Sequence, residues 1–570
     1  MNTFIRLLLL LISFFLVFSK LVRGQNDLEF KIDSIFHEFS LETPGIMVSI
    51  VKKDSIIYSK GYGSAQLEYG IPINEKTVFH IASDSKRFTA MAILLLEKQG
   101  LISLSDDIHQ FFPKLHDFGR KITIKNLLHH TSGLRDQWQL LGMAGIYLED
   151  VITQDHILSL LFEQRELNFI PGEEFTYCNT GYTLLAEIVS KVSGLSFEEF
   201  THRNIFQPLE MHNTHFHSDH KQIVPNRAYS YSKIGDDNYE KEILNFSNVG
   251  ATSLFTTAED LQKWLSDVMS DQPKVADKKL TTRMQKKAAL SNGEPLIYGM
   301  GEMNFTFKGM RLVGHGGNDA GFNSFIGYFP NQELGVIALS NLKNISAGNL
   351  VLQVADVFFE NGYKRHETSV RQKQAKAERT PQSFITPSID TLTMQTGIYE
   401  TIWGNVIVKE EDGELYFKNV DEESDFQLFK AETMTQYFNE SDQLVIKFSR
   451  FKNGHYYKLK VTGPNNTNFS AERIFLVDYS VRELAEFVGV YVSKELDTRY
   501  EIILKDSTLI AKHTRLQDIE LSLKSRDRFT GNKWFFDILQ FDRNQAGDIV
   551  AVLISGGRGR AKNIRFDKIN

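Results

Sequence analysis

The chain has 570 residues, of which 42% are apolar and 24% are charged, and its formal net charge is -7. This length exceeds what one hydrophobic core normally supports, so we expect a globular protein with several domains. The weakly acidic balance, without any block of like charges, excludes a protein whose partner is nucleic acid.

The first 24 residues have the pattern of a secretory signal peptide. A basic lead, Met1–Arg6, precedes an apolar run, Leu7–Phe18, that is too short to span a bilayer comfortably. We predict a cut after Gly24 and a secreted or periplasmic protein without a transmembrane span in the mature chain; an uncleaved anchor is the alternative. Because Cys178 is the single cysteine, no internal disulfide can form.

Residues 25–365 alternate between strand and helix patterns. Predicted strands lie near both ends of this region, at Ile46–Val51, Ser55–Ser59, Phe322–Phe329 and Leu334–Ser340. Predicted helices lie between them, at Ser83–Gln99, Ile124–Leu128, Thr180–Val192 and Ala258–Met269. The pattern indicates an α+β domain in which an antiparallel sheet joins the terminal strands, flanked by helices and an all-helical subdomain.

Residues 366–387 are mostly polar and charged and form a predicted linker. Short alternating strands follow, and one stretch recurs: Leu392–Tyr399 reappears as Leu484–Tyr491, with a glycine and a tyrosine at matching places. A repeat of this length predicts two small all-β modules, residues 388–480 and 481–570, each closing on itself like a barrel.

The residues with the clearest chemistry are Ser83 and Lys86, at the start of the predicted helix that ends near Gly100. A serine and a lysine three positions apart lie on one helix face. Serine is a weak nucleophile until a neighbouring base takes its proton, and partial burial would lower the pKa of a lysine enough for it to act as that base. A helix N-cap serine beside a solvated lysine is the structural alternative.

Two further motifs add polar groups. Tyr177 and Asn179 form a Tyr-x-Asn motif just before a predicted helix, and His315-Gly316-Gly317 precedes a predicted strand. A core tyrosine, a helix-capping asparagine and a simple turn are their structural alternatives.

Together with His130-Thr131-Ser132-Gly133-Leu134, these motifs make residues 30–362 resemble the serine β-lactamase and penicillin-binding protein superfamily. The closest similarity is to the class C β-lactamase-like branch, which contains D-aminopeptidases and D,D-carboxypeptidases. The resemblance implies a catalytic set of Ser83, Lys86, Tyr177, Asn179 and His315.

The resemblance also implies a nucleophilic Ser83 that forms an acyl-enzyme and an oxyanion hole made by the backbone N–H groups of Ser83 and Asn318. Gly316 and Gly317 would let the strand backbone approach the substrate. His315 stands where the family more often has lysine, and we expect its charge to depend on pH.

The implied function is hydrolysis of amides or peptides of D-residues, including peptidoglycan fragments, without a metal or organic cofactor. An esterase or β-lactamase using the same site is one alternative, and a non-catalytic sensor of cell-wall fragments is another. Asp84 favours the sensor, because a carboxylate beside Lys86 would hold the lysine in its charged form.

Two segments remain open. Gly250–Leu254 departs from the family pattern near the pocket, which affects the shape of the substrate that fits. His212, His215, His217 and His220 lie close together, but a surface strand explains them better than a zinc site, and we assign no metal ligand. The β modules are expected to restrict substrate size.

Overall fold

The computed structural model describes residues 28–235, 238–275, 277–360, 384–401, 404–419, 425–463, 468–475 and 477–569. The predicted signal peptide, residues 1–24, and most of the predicted linker lie outside these residues. In the part of the chain described, no helix is long and apolar enough to cross a membrane. The chain forms two compact units, and Trp138–Ile146 belong to the unit that contains the C-terminal modules.

The first unit is built around a six-stranded antiparallel sheet in the order β12-β13-β14-β15-β1-β2. The two ends of the unit meet in this sheet, because Ile46 of β1 pairs with Ser340 of β15. The strands of this unit are β1 (Ile46–Lys52), β2 (Ser55–Tyr62), β3 (Ser64–Gln66), β4 (Ile71–Pro72), β5 (Phe79–His80), β6 (Ile152–Thr153), β7 (His215–Phe216), β8 (Ser230–Ile234), β9 (Asn238–Glu242), β10 (Phe246–Ser247), β11 (Leu254–Thr256), β12 (Met303–Phe307), β13 (Met310–Asp319), β14 (Phe322–Phe329) and β15 (Leu334–Ser340).

The helices of this unit are α1 (which includes residues 28–35), α2 (Lys86–Lys98), α3 (Ile124–Leu128), α5 (Gln154–Phe162), α6 (Asn179–Ser193), α7 (Phe197–Thr201), α8 (Ala258–Met269), α9 (Lys278–Gln285) and α10 (Ala347–Glu360). Apart from Gln137, α4 (Gln137–Met143) belongs to the second unit. Every residue of β14 and β15 is buried. The reason is that one face of the sheet packs against the cluster around α10 and the other against the cluster around α2 and α8. Strands covered on both faces have continuous apolar sequences rather than alternating ones.

The start of α2 differs from the prediction. A 3₁₀ turn, Ala82–Ser85, precedes the α-helix, which begins at Lys86. Ala82 has φ +46°, a left-handed conformation that is unusual for alanine. The turn therefore places Ser83 just outside the regular helix, while Lys86 opens its first turn.

The second unit contains two closed barrels of eight strands each. The first consists of β16 (Gly397–Thr401), β17 (Gly404–Glu411), β18 (Glu414–Asn419), β19 (Gln427–Thr433), β20 (Gln436–Asn439), β21 (Leu444–Lys452), β22 (His455–Thr462) and β23 (Asn468–Ile474), preceded by α11 (Ile389–Gln395). The second consists of β24 (Gly489–Ser493), β25 (Thr498–Lys505), β26 (Thr508–Lys512), β27 (Ile519–Ser525), β28 (Arg528–Lys533), β29 (Phe536–Arg543), β30 (Ile549–Ser555) and β31 (Ile564–Ile569), preceded by α12 (Val481–Leu484).

The sequence repeat is also a structural repeat. The Tyr399 hydroxyl donates to Gln395 O at 2.8 Å, and the Tyr491 hydroxyl donates to Phe487 O at 2.7 Å. In each barrel, a buried tyrosine on the first strand thus ties that strand to the segment before it. The prediction of an α+β domain followed by two barrel-like modules is confirmed.

Candidate active site

Lys86 is fully buried, and its ammonium nitrogen lies among three oxygen atoms. Lys86 Nζ lies 3.0 Å from Ser83 Oγ, 2.8 Å from Asn179 Oδ1 and 2.7 Å from Ala251 O. The 3₁₀ turn and the first turn of α2 bring the serine and the lysine together, as the three-residue spacing predicts. The arrangement gives Ser83 a basic nitrogen within hydrogen-bonding distance.

The side-chain amide of Asn179 has a fixed orientation. Both Asn179 N and Asn179 Nδ2 donate to Asp136 Oδ2, at 2.6 and 2.8 Å. A carboxylate only accepts hydrogen bonds, so the amide nitrogen must face Asp136 and Oδ1 must face Lys86. The same carboxylate accepts a hydrogen bond at the start of α6, where Cys178 supplies no side-chain cap.

The ring of Tyr177 lies beside the ammonium group of Lys86. Lys86 Nζ is 4.9 Å from the centroid of the Tyr177 ring, and the His130 ring lies 4.2 Å from the same centroid. The Cys178 side chain points away, with Sγ 3.3 Å from Leu134 O. The peptide N–H of Cys178 donates to His130 Nδ1 at 3.1 Å, which ties the Tyr-x-Asn segment to the loop after α3.

His315 is buried in β13, and its ring centroid lies 6.1 Å from that of Tyr177. Its Nδ1 is 2.7 Å from Gly316 O, and its Nε2 is 3.2 Å from the hydroxyl of Tyr298. Burial and the nearby charge of Lys86 lower the pKa of His315 to about 3. The ring is therefore neutral near pH 7. The sequence suggested a charge that changes with pH, but burial disfavours the charged ring and moves its pKa well below that range.

The two glycines after His315 have different environments. A Cβ atom on Gly317 would lie 2.2 Å from Ile81 O, whereas the nearest atom to a Cβ on Gly316 would be Ser324 O at 3.5 Å. Gly317 thus allows β13 to lie directly against the residues before Ser83. Asn318 follows it and lines a cavity of about 430 Å³ together with Gly316, Phe325 and Ser346.

The side chain of Asp84 points away from Lys86. Arg87 Nη2 donates to Asp84 Oδ1 at 3.0 Å, and the Ser324 hydroxyl donates to Asp84 Oδ2 at 2.7 Å. Burial raises the pKa of Asp84 to about 7, although the Arg87 charge opposes this shift. The carboxyl group therefore engages Arg87 and β14 rather than Lys86.

Several contributors to the site are absent from the sequence motifs. Ala251 supplies a main-chain oxygen to Lys86, Asp136 orients Asn179, and Tyr298 bonds to His315. His130 is part of the His130–Leu134 motif, and Asp136 lies two residues after it. The motif therefore pointed to the loop that holds both side chains. The sequence indicated Ala251 only weakly, because its segment departs from the family pattern. No motif lies near Tyr298, so the sequence did not indicate that residue.

Among the described residues, no group of three or more His, Cys, Asp or Glu side chains is arranged so that it could hold a metal ion. The ring centroids of His215 and His217 are 5.7 Å apart, and both rings pack against Phe255. His217 is buried, so the expectation of a surface strand is wrong at this residue. Its neighbours are aromatic, and burial lowers its pKa to about 4.

The chain is similar in sequence and fold to known proteins. Penicillin-binding protein 4* of Bacillus subtilis (strain 168) is 30% identical over 301 residues, which are 50% of this chain and 65% of that protein, slightly less than two thirds of its length. An octameric penicillin-binding protein homologue from Pyrococcus abyssi has the same fold, with a TM-score of 0.52 and 24% identity over 78% of this chain and 99% of that one.

A D-amino acid amidase from Ochrobactrum anthropi SV3, solved with D-phenylalanine, also shares the fold. Its TM-score is 0.50, and it is 22% identical over 59% of this chain and 99% of its own. The family model described as Beta-lactamase matches residues 20–351, which hold every residue of the site described above. The chain therefore belongs to the Beta-lactamase family.

Proposed function

We propose that the protein is a secreted serine hydrolase that cleaves amides or peptides of D-residues through an acyl-serine intermediate. One observation carries the proposal: Lys86 Nζ lies 3.0 Å from Ser83 Oγ and also contacts oxygen atoms of Asn179 and Ala251. A neutral lysine in this place can donate two hydrogens to Asn179 and Ala251 and accept the hydroxyl proton of Ser83.

The reaction follows from these positions. Ser83 Oγ transfers its proton to Lys86 Nζ and bonds to the substrate carbonyl carbon, whose π electrons move to oxygen. The backbone N–H groups of Ser83 and Asn318 stabilise that oxyanion. As the C–N bond breaks, Tyr177 relays the proton from Lys86 to the leaving amine. Water then attacks the ester, gives one proton back to Ser83, and releases the acid.

Support for a D-residue substrate comes from the structural neighbour that is a D-amino acid amidase. The same neighbour favours amides over esters. The neutral His315 fits an uncharged polar group, because a ring with a pKa of about 3 offers hydrogen bonds rather than a positive charge.

A covalent probe tests the nucleophile. A fluorophosphonate should modify the purified protein at one residue, mapped to Ser83 by peptide mass spectrometry, and Ser83→Ala should abolish the modification. Ser85→Ala is the matched control, since Ser85 Oγ donates to Ala82 O at 2.6 Å rather than contacting Lys86. Absence of modification in the wild type at any pH would support the sensor instead.

A substrate panel tests the chemistry. We expect D-aminoacyl amides to be hydrolysed at least about tenfold faster than their L-forms, and faster than short-chain esters or nitrocefin. Preferred turnover of esters or of nitrocefin would replace the amidase proposal with an esterase or a β-lactamase on the same site. Secretion is tested separately, by N-terminal sequencing of the exported protein, which should begin at Gln25.

A further inference from the structure

Two side chains outside the catalytic set connect the segment before Ser83 to the strand after His315. His80 lies on β5, three residues before Ser83, and Asp319 is the last residue of β13, directly after Asn318. His80 Nε2 is hydrogen-bonded to Asp319 Oδ1. The pair therefore joins the two chain segments that carry the proposed oxyanion donors.

Thr252 completes this connection. Its hydroxyl donates to Asp319 Oδ2 at 2.7 Å and lies 3.3 Å from His80 Nε2. Both oxygen atoms of the carboxylate are thus engaged, which fixes its plane. The side chain of His80 is fully buried and that of Asp319 is only 20% exposed, so solvent screens the pair little.

The same two segments already touch at Gly317, where β13 lies against Ile81. The bond between His80 and Asp319 adds a second contact, which fixes the end of β13 relative to the segment before Ser83. Asn318 lies between the two contacts, and Ser83 lies just beyond Ile81.

We propose that His80 and Asp319, with Thr252, form a clamp that sets the separation between the backbone N–H groups of Ser83 and Asn318 and so tunes the oxyanion hole. These are positioning residues, because they act through the donors and not on the substrate. The clamp rests on the proposed function, since only an acyl-transfer enzyme needs the hole. Asp319 is suited to the task because its interactions with His80 and Thr252 outweigh the effect of burial and lower its pKa, so it remains a carboxylate.

The test uses Asp319→Asn in the full chain. We expect kcat for an amide substrate to fall at least about tenfold with KM nearly unchanged, because oxyanion donors act mainly in the transition state. The infrared stretch of the acyl-enzyme carbonyl should move to higher frequency, since weaker hydrogen bonds polarise that bond less. A structural role alone would lower stability without moving this frequency.

Asp107→Asn is the matched control, because Asp107 Oδ1 forms a similar contact, 2.7 Å from His109 Nδ1, away from these segments. It should leave kcat and the carbonyl frequency unchanged. If Asp319→Asn does not fold, Thr252→Val decides, and a wild-type frequency in that variant overturns the clamp.

The two proposals fail differently. Normal modification of Ser83 in the wild type, with unchanged kcat and carbonyl frequency in Asp319→Asn, overturns the clamp alone. No modification of Ser83 in the wild type overturns the proposed function and the clamp with it.

Discussion

Lys86 Nζ lies within hydrogen-bonding distance of oxygen atoms of Ser83, Asn179 and Ala251. The charged form is therefore satisfied, and so is the neutral form, once the Ser83 hydroxyl turns to donate instead of accept. Both states of the proposed proton transfer are therefore accommodated with only a rotation of that hydroxyl. The orientation of Asn179 is essential to this arrangement, and it depends on Asp136.

The first prediction concerns Asp136. Asp136→Ala removes the acceptor for two buried donors of Asn179, so the free energy of unfolding should fall by ~1–3 kcal/mol and kcat should fall at least about tenfold as the amide loses its fixed orientation. Chemical denaturation and steady-state kinetics measure the two effects. The control is Asp107→Asn. Wild-type kcat in Asp136→Ala would show that Asn179 needs no such support.

A second prediction concerns pH. The pKa of His315 is about 3 in the folded protein, against the ordinary 6.5 of the unfolded chain, so the unfolded state binds more protons between these values. The stability that His315 contributes is therefore present above pH 6.5 and is lost as pH falls toward 3. Between pH 7 and 4.5, His315→Asn should lose less stability than the wild type, by about 2 kcal/mol.

Urea titrations at the two pH values measure this difference. The shared contribution of Asp84, which has the opposite sign because its pKa is raised, cancels in the comparison. A substitution at the exposed His37 serves as control. Equal pH dependence in His315→Asn and the wild type would mean that folding does not lower the pKa of His315.

At this scale, the sequence predicts residues whose partners are near in the chain. Ser83 and Lys86 are one helical turn apart, and Tyr177 and Asn179 are separated by one residue. Ala251 and Tyr298 come from distant segments, and one of them acts through its main chain, which no side-chain pattern records. The neutral state of His315 follows from burial, which exists only after folding.

Among the elements, β13 and the 3₁₀ turn before α2 determine the site, because they meet at Gly317. The third prediction compares adjacent glycines. Gly317→Ala places a Cβ 2.2 Å from Ile81 O, so the strand must move, and kcat/KM should fall by about 100-fold. Gly316→Ala meets only ordinary contacts and should change stability by less than about 0.5 kcal/mol. Thermal unfolding and kinetics of both variants check this, and equal behaviour would contradict it.

Elements with strong local patterns are predicted well. Ile124–Leu128, Ala258–Met269, Phe322–Phe329 and Leu334–Ser340 have the predicted bounds. The start of α2 is not predicted, because the left-handed Ala82 depends on packing against β13 rather than on its own preference. Local sequence specifies periodicity, whereas tertiary contact specifies where a helix begins.

At the scale of the whole molecule, Trp138–Ile146 belong to the second unit, although the residues before and after them belong to the first. The segment follows Asp136 in sequence yet packs with the second barrel, where the Tyr500 hydroxyl donates to Met143 O at 3.0 Å. The Phe535 ring lies against Gly142 in the same unit, 2.7 Å from the place of an added Cβ. A domain boundary predicted from composition cannot place this segment in the second unit, because the segment's own composition is ordinary.

The fourth prediction follows from this packing. In a chain that ends at residue 360, the amides of residues 138–146 should exchange hydrogen at least about tenfold faster than in the full chain, because their packing partners are gone. Tyr500→Phe in the full chain removes one hydrogen bond, costs ~1 kcal/mol, and should give an intermediate rate. Hydrogen exchange followed by mass spectrometry measures all three proteins. Equal protection in the shortened chain would show that the segment is stable by itself.

The buried Cys178 makes the chain convenient for spectroscopy. Its thiol faces Leu134, and burial raises its pKa to about 12, so maleimide reagents at neutral pH should not modify it. A cysteine introduced at Ile223, which is 89% exposed, or at Met434, which is 54% exposed, would accept a dye on an otherwise native background. A donor and an acceptor fluorophore at these two places would report the distance between the two labelled residues in single molecules, with and without an added substrate.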